Sequence, residues 1–265
     1  MEHRNGSEEL QALYARLLDL SARAEHGEPT ASPFLSPREL HYAQIFLRRR
    51  GIPHLAWGGY EGAERQRIFM LPEYMEDIHA VSELEDFGCS TEIAVLLVRP
   101  SGYVKLSHRD FLGSLLGLGL ERSVVGDIVP CKEGSNDVYV FCNESILPFL
   151  EASWVKAGND KIRVGRTELD GGFSPVRRYA QISDTVASPR LDACVSALCS
   201  VSREKARELV VGELVEVDHE TLTRPDKTLE PPCLVSVRGF GKFRIVSASD
   251  QTRKGRYRLV AEKFI

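Results

Sequence analysis

Between residues 91 and 168 the hydrophobic period changes repeatedly, and this limits the folds open to the chain. Thr91 to Val98 is a short continuous apolar run, the mark of a buried strand. Residues 107–118 read as a helix, with Phe111, Leu112, Leu115 and Leu116 apolar. Asp127 to Pro130 and Asp137 to Phe141 read as two strands separated by the turn cluster Lys132-Glu133-Gly134-Ser135-Asn136. Ile146 to Val155 reads as a helix, and Lys161 to Glu168 alternates like an exposed strand. The order strand, helix, strand, strand, helix, strand is that of the split βαβ, or ferredoxin-like, arrangement. The expected class is therefore α+β. Many RNA-recognition modules use this arrangement and so do many enzymes, so it names no function alone.

The flanks read differently. Leu10, Leu13, Tyr14 and Leu17 recur at helical spacing after Ser7, a candidate cap, and Gly27 and Pro29 stop that helix. Ser36-Pro37-Arg38-Glu39 predicts a capping box with proline in the first turn, and Gly51 and Pro53 predict the end. Arg48, Arg49 and Arg50 in the last turn chiefly complement the helix dipole. Strand-like pieces follow at 52–57 and 65–71. The expected domains are 1–75, a small α/β unit; 76–170, the ferredoxin-like domain; 171–187, a Gly/Ser/Arg-bearing linker; and 188–265, a helical pair with a small β-sheet and a basic tail.

Charge is uneven. Residues 1–152 sum to −9 and residues 153–265 to +5, with eight basic residues against two acids in 238–265. Such a gradient fits a nucleic-acid module on an acidic body, although surface charge also varies by chance. The six cysteines include no C-x-x-C pair, which argues against a zinc ribbon or disulfide scaffold and fits a reducing, cytoplasmic setting. No run is long enough for a membrane span, and no metal or cofactor is expected.

Catalytic signatures fail one by one. His108-Arg109-Asp110 and Asp86-Phe87-Gly88 spell kinase motifs in the wrong order. Gly117-Leu118-Gly119 follows a helix and lacks the third glycine of a dinucleotide loop. Arg190-Leu191-Asp192 is also the tripeptide bearing the catalytic aspartate of RNA pseudouridine synthases, but the 73 residues after Asp192 leave no room for their catalytic domain. A non-enzyme is expected.

At the carboxy-terminal end, Pro189 predicts a helix start, with Leu191, Val195 and Leu198 on one stripe. Ser202 caps a second helix on which Arg203 and Arg207 share a face. Leu214 to Val217 and Leu234 to Arg238 read as strands, and Gly239 to Phe243 as a bend beside Arg238 and Lys242. Arg190, Arg203, Arg207, Arg238 and Lys242 are expected to meet phosphates, giving affinity with little base readout. Taken singly, each is a solvated surface residue.

Pro189 to Ile245 resembles the RNA-binding domain named for ribosomal small-subunit protein S-four. The hallmarks are Arg190-Leu191-Asp192, Ser202-Arg203 with Ala206-Arg207, and Ser236-Val237-Arg238-Gly239-Phe240-Gly241-Lys242. Asp218-His219 and Cys233 depart from that pattern. The resemblance implies RNA-binding roles for Arg190, Asp192, Ser202, Arg203, Arg207, Ser236, Arg238, Lys242 and Arg244, with Asp192 orienting Arg190 or capping its helix. The rest of the chain is similar to the YlmH group of bacterial proteins. The stretch from Leu106 to Arg122, leading to Gly126-Asp127-Ile128, carries that likeness, with Phe34-Leu35-Ser36-Pro37, Ala63-Glu64-Arg65-Gln66-Arg67 and Thr252-Arg253-Lys254-Gly255-Arg256. The likeness implies a monomeric, non-catalytic factor binding the large ribosomal subunit, through rRNA and peptidyl-tRNA, in quality control of stalled translation. An RNA-modifying enzyme that docks through its last domain is the alternative. In the central stretch Ser107 and Asp110 predict a capped helix, the glycines at 113, 117 and 119 predict close packing, and His108, Arg109 and Arg122 stay open between surface ion pair and RNA contact.

Overall fold

The computed structural model describes residues 2–169, 173–175, 179–249 and 255–264. Asp170-Gly171-Gly172 of the expected linker and Arg253 and Lys254 of the basic tail lie outside the described residues. The chain divides into two compact units, 1–176 and 177–265.

The first unit opens with α1 (Glu2–Ala24), β1 (Thr30–Ala31), α2 (Pro37–Arg50), β2 (His54–Trp57) and β3 (Arg67–Met70). The helix begins at Glu2, so Ser7 lies within it and is not its cap. The helix runs on through Asn5 and Gly6, both weak helix formers, to the more favourable Arg4 and Glu2, so Ser7 has no terminus to cap. Capping of α2 follows expectation: Glu39 N–H donates to Ser36 Oγ at 3.3 Å, and Ser36 N–H donates to Glu39 Oε2 at 2.7 Å. Leu13, Leu17 and Leu20 of α1 bury against Ala43 and Leu47 of α2 and against Ile68 and Met70 of β3. The three strands lie in the order β1-β3-β2.

After α3 (Val81–Asp86) come β4 (Ile93–Pro100), α4 (His108–Gly117), β5 (Val125–Pro130), β6 (Val138–Asn143), α5 (Leu147–Ser153), β7 (Lys156–Ala157) and β8 (Asp160–Thr167). The sheet order is β5-β6-β4-β8-β7, with every neighbouring pair antiparallel. The four long strands thus take the ferredoxin-like order, with β7 added at one edge. Ala94, Leu96 and Val98 of β4 face Phe111, Leu115, Leu147, Leu150 and Trp154 beneath α4 and α5.

The second unit contains β9 (Tyr179–Val186), α6 (Leu191–Cys199), α7 (Arg203–Val211), β10 (Val215–Val217), β11 (Glu220–Thr221), β12 (Cys233–Val237), β13 (Gly241–Ser247) and β14 (Tyr257–Phe264). Its six strands run in the order β11-β10-β12-β13-β14-β9. Residues 179–186, expected within a linker, are therefore a strand, paired with β14 along its whole length. Its sequence, Tyr-Ala-Gln-Ile-Ser-Asp-Thr-Val, buries only Val186 fully, so half-exposure hides the strand period from a reader of the sequence. Pro189 precedes the helix, which Arg190 starts as N-cap. Both helices pack on one sheet face, through Leu191, Val195, Leu198, Leu209 and Val210 against Val235, Phe243, Ile245 and Leu259.

Candidate nucleic-acid interface

The helical pair holds its arginines through one carboxylate. Asp192 sits in the first turn of α6 and is 2% exposed. It accepts from Arg190 Nε at 3.3 Å and Nη2 at 3.4 Å, and from Arg203 Nε at 3.3 Å and Nη2 at 3.2 Å. Two forked guanidiniums on one carboxylate hold each other in place, since planar forks match carboxylate geometry. Burial works to raise the Asp192 pKa, but the bonds from Arg203 and then Arg190 prevail and hold it below the usual range. Arg190 and Arg203 remain 39% and 50% exposed, so their outer edges stay open to a ligand. Two cations on one anion leave a net positive charge, and Arg207 lines the same cleft of about 960 Å³. Glu204 and Glu208 line it too, which moderates the field.

The support for this edge is backbone. Leu191 N–H donates to Lys227 O at 2.8 Å, Asp192 N–H to Pro225 O at 3.0 Å, and Leu229 N–H to Pro189 O at 2.8 Å, so the 224–229 loop braces the start of α6. Ser202 caps α7 by accepting from Lys205 N–H at 3.1 Å.

The remaining expected contacts separate from this group. Phe243 and Ile245 of β13 are fully buried against the helices, so Lys242 and Arg244 point to the other face of the sheet. Ser236, the direct cross-strand partner of Lys242, lies on that face as well. There the Lys242 ammonium lies 5.2 Å from the Phe264 ring centroid, and Arg244 lies 5.2 Å from that of Tyr179. Arg244 also donates to Glu262, and this bond raises its pKa. The expectation of one converging cationic surface is thus corrected. Strand alternation divides it between the helical edge and the outer sheet face, with exposed Arg238 at the turn between β12 and β13.

In the central domain, Ser107 starts α4, and Asp110 Oδ2 accepts from both the Ser107 N–H and its hydroxyl at 2.7 Å. The glycines 113, 117 and 119 do not pack: a Cβ at any of them meets nothing within 4 Å. The helix turns Phe111 and Leu115 inward, and Gly113 and Gly117 lie on its exposed side, while Gly119 takes a positive φ of 83° in the turn beyond. Arg109 is exposed. His108 is held below its ordinary pKa by desolvation and then by Arg122. The Arg122 Nη1 atom is buried without an acceptor.

Sequence reasoning missed what the two YlmH-like stretches do together. The Asp127 carboxylate accepts from Tyr60 Oη at 2.6 Å, Glu64 N–H at 2.7 Å and Arg65 N–H at 3.0 Å. Arg65, 7% exposed, donates to Val125 O, Phe34 O and Arg122 O at 2.9–3.0 Å. Burial pushes its pKa down to about 10, so it stays charged near neutrality. Gly126 lets the layers meet, since a Cβ there would lie 2.8 Å from Phe34 Cε1. The signal in the sequence is Asp127 beside Gly126 in the otherwise apolar β5.

The αα-hairpin thus presents a clustered guanidinium edge, a surface whose chemistry matches phosphate oxygens. Residues 9–75 match the family model described as "YlmH, N-terminal", and residues 83–171 match the one described as "Putative RNA-binding domain in YlmH". The two matches together span more than half of the chain, and these two domains belong to the YlmH family. The "Ribosome-associated protein quality control protein P2" of Bacillus subtilis (strain 168) is 29% identical over 231 residues, covering 87% of this chain and 85% of that protein. A solved structure, "Cell division protein ylmH from Streptococcus pneumoniae", overlaps 66% of this chain and 96% of its own, at 18% identity and a TM-score of 0.48. Among the described residues no helix is long and apolar enough to cross a membrane.

Proposed function

We propose that this chain is a non-catalytic, cytoplasmic RNA-binding factor of the large ribosomal subunit, acting as a monomer on rRNA and peptidyl-tRNA in the rescue of stalled translation. Its last unit is read as an S-four-type module. The observation that carries this reading is the Asp192 fork, which presents Arg190 and Arg203 beside Arg207 on one exposed edge. Three arginines line the cleft with two glutamates and a single exposed aliphatic residue, Val211, a set that suits sequence-independent contact with phosphates. The RNA-binding family model and the name of the Bacillus subtilis relative support the same direction.

Replacing Arg203 and Arg207 by Ala in the full chain should abolish co-sedimentation with large ribosomal subunits and leave the circular dichroism spectrum unchanged. Retained co-sedimentation would refute the assignment. The RNA-modifying alternative predicts a modified nucleotide missing from rRNA of cells lacking the protein, which mass spectrometry detects.

A further inference from the structure

Helices α4 and α5 cover one face of the central sheet. Val95, Leu97 and Arg99 of β4 alternate with the buried Ala94, Leu96 and Val98, and so face away from α4 and α5. Part of this second face is closed by the chain itself. Phe141 is fully buried beneath Tyr60, at a ring-centroid distance of 4.7 Å, and Tyr139 meets Phe173 edge-on at 5.2 Å. Toward the β8–β7 edge the face is open.

That edge is cationic in a regular way. Arg99 lies directly opposite Arg163, and Lys156 directly opposite Lys161. Lys161 and Arg163 are two residues apart on β8, so both pairs share one face, in rows about 6.8 Å apart. All four side chains belong to exposed residues. Asp137, 3.7 Å from Arg99 Nε, offsets one of the charges. Like charges directly across a sheet destabilise it, so two such pairs in neighbouring rows cost stability unless an anion lies over them. Just beyond β4, Tyr103 is 93% exposed on a loop whose base is tied down by Asp160, which accepts from the Ser101 hydroxyl and the Gly102 N–H.

We propose that this ladder is a second RNA contact: Arg99, Arg163, Lys156 and Lys161 take backbone phosphates, and Tyr103 offers its ring to an unstacked base. The inference deepens the reading of the chain as an RNA binder and rests on it. A protein partner fits less well, because the core of a specific protein interface is depleted of charged residues and four exposed cations occupy this edge. With the aromatic rings of β6 covered, contact here is to charge and not to a stacked row of bases. Tethered to the helical edge, a second contact gains effective concentration once the first has formed.

The test is filter binding of the full chain to deproteinised large-subunit rRNA, beside co-sedimentation with intact large subunits. Lys161→Glu/Arg163→Glu should weaken rRNA binding by about tenfold or more, while Arg163→Lys binds like the parent. The thermal midpoint of the reversal should not fall, since opposite charges then face each other across the strands. If the reversal proves unstable, exposed Arg163→Gln reads the same direction of loss. Unchanged rRNA affinity in the reversal, with Arg203→Ala/Arg207→Ala still weakened, overturns the ladder and leaves the broader reading standing. Loss on intact subunits but not on bare rRNA also overturns it, by showing contact with a protein. A parent chain that binds no rRNA overturns both.

Discussion

Arg65 and Arg203 are the same residue type put to opposite use. Arg65 is almost wholly buried, and its guanidinium is spent on three backbone carbonyls that join the first domain to the second. Arg203 is half-exposed and spends one edge on a buried carboxylate, keeping the other open. The difference lies in the acceptors. Backbone carbonyls scattered over the fold take up an arginine as structure, whereas a single carboxylate shared by two arginines holds them as a charged surface. Burial therefore separates braces from contacts better than any count of basic residues.

Substitutions should respond accordingly. Arg65→Met should produce the largest loss, about 3–5 kcal/mol of stability, because it strands buried carbonyls and removes the cation beside Asp127; chemical denaturation of the full chain measures this. Asp192→Asn should cost about 1–3 kcal/mol in the second unit by taking the shared acceptor from two arginines. The Asp192 contribution also has a definite pH sense. Its folded pKa lies below the ordinary aspartate value, so the stabilisation is complete at higher pH and is lost as pH falls through the folded value. In Asp192→Asn that acid-side loss should shrink. Gly113→Ala, at an exposed helical site with open space, should raise stability by about 0.5–1 kcal/mol. A loss of ribosome association in that variant would mark the exposed side of α4 as an interface. Arg207→Gln should change stability least, by less than about 0.5 kcal/mol, while weakening RNA binding.

Much of the fold was legible because it is local. The α2 box spells itself out in Ser36 and Glu39, and the βαββαβ order shows in the change of period. What stayed hidden depends on distant partners. Strand β9 is half-exposed and gains its identity from β14, about eighty residues later. The exposure of Gly113 and Gly117 follows from which side of α4 meets the sheet. The shared face of Arg203 and Arg207 could be read from helical spacing, and Arg190 and Asp192 are near neighbours. That Asp192 also holds Arg203 required the hairpin to bring together residues eleven apart. The separation of Lys242 and Arg244 from the helical arginines came from strand parity, which fixes the face only once the packing side is known.

The most direct measurement is the slope of log affinity against log salt for rRNA, compared between the parent chain and Arg203→Ala/Arg207→Ala. With about 0.7–0.9 released counterions per phosphate contact, the expected slope is shallower by about 1.4–1.8 in the double variant, measured at a temperature where circular dichroism shows both proteins folded. An identical slope in both proteins would contradict it.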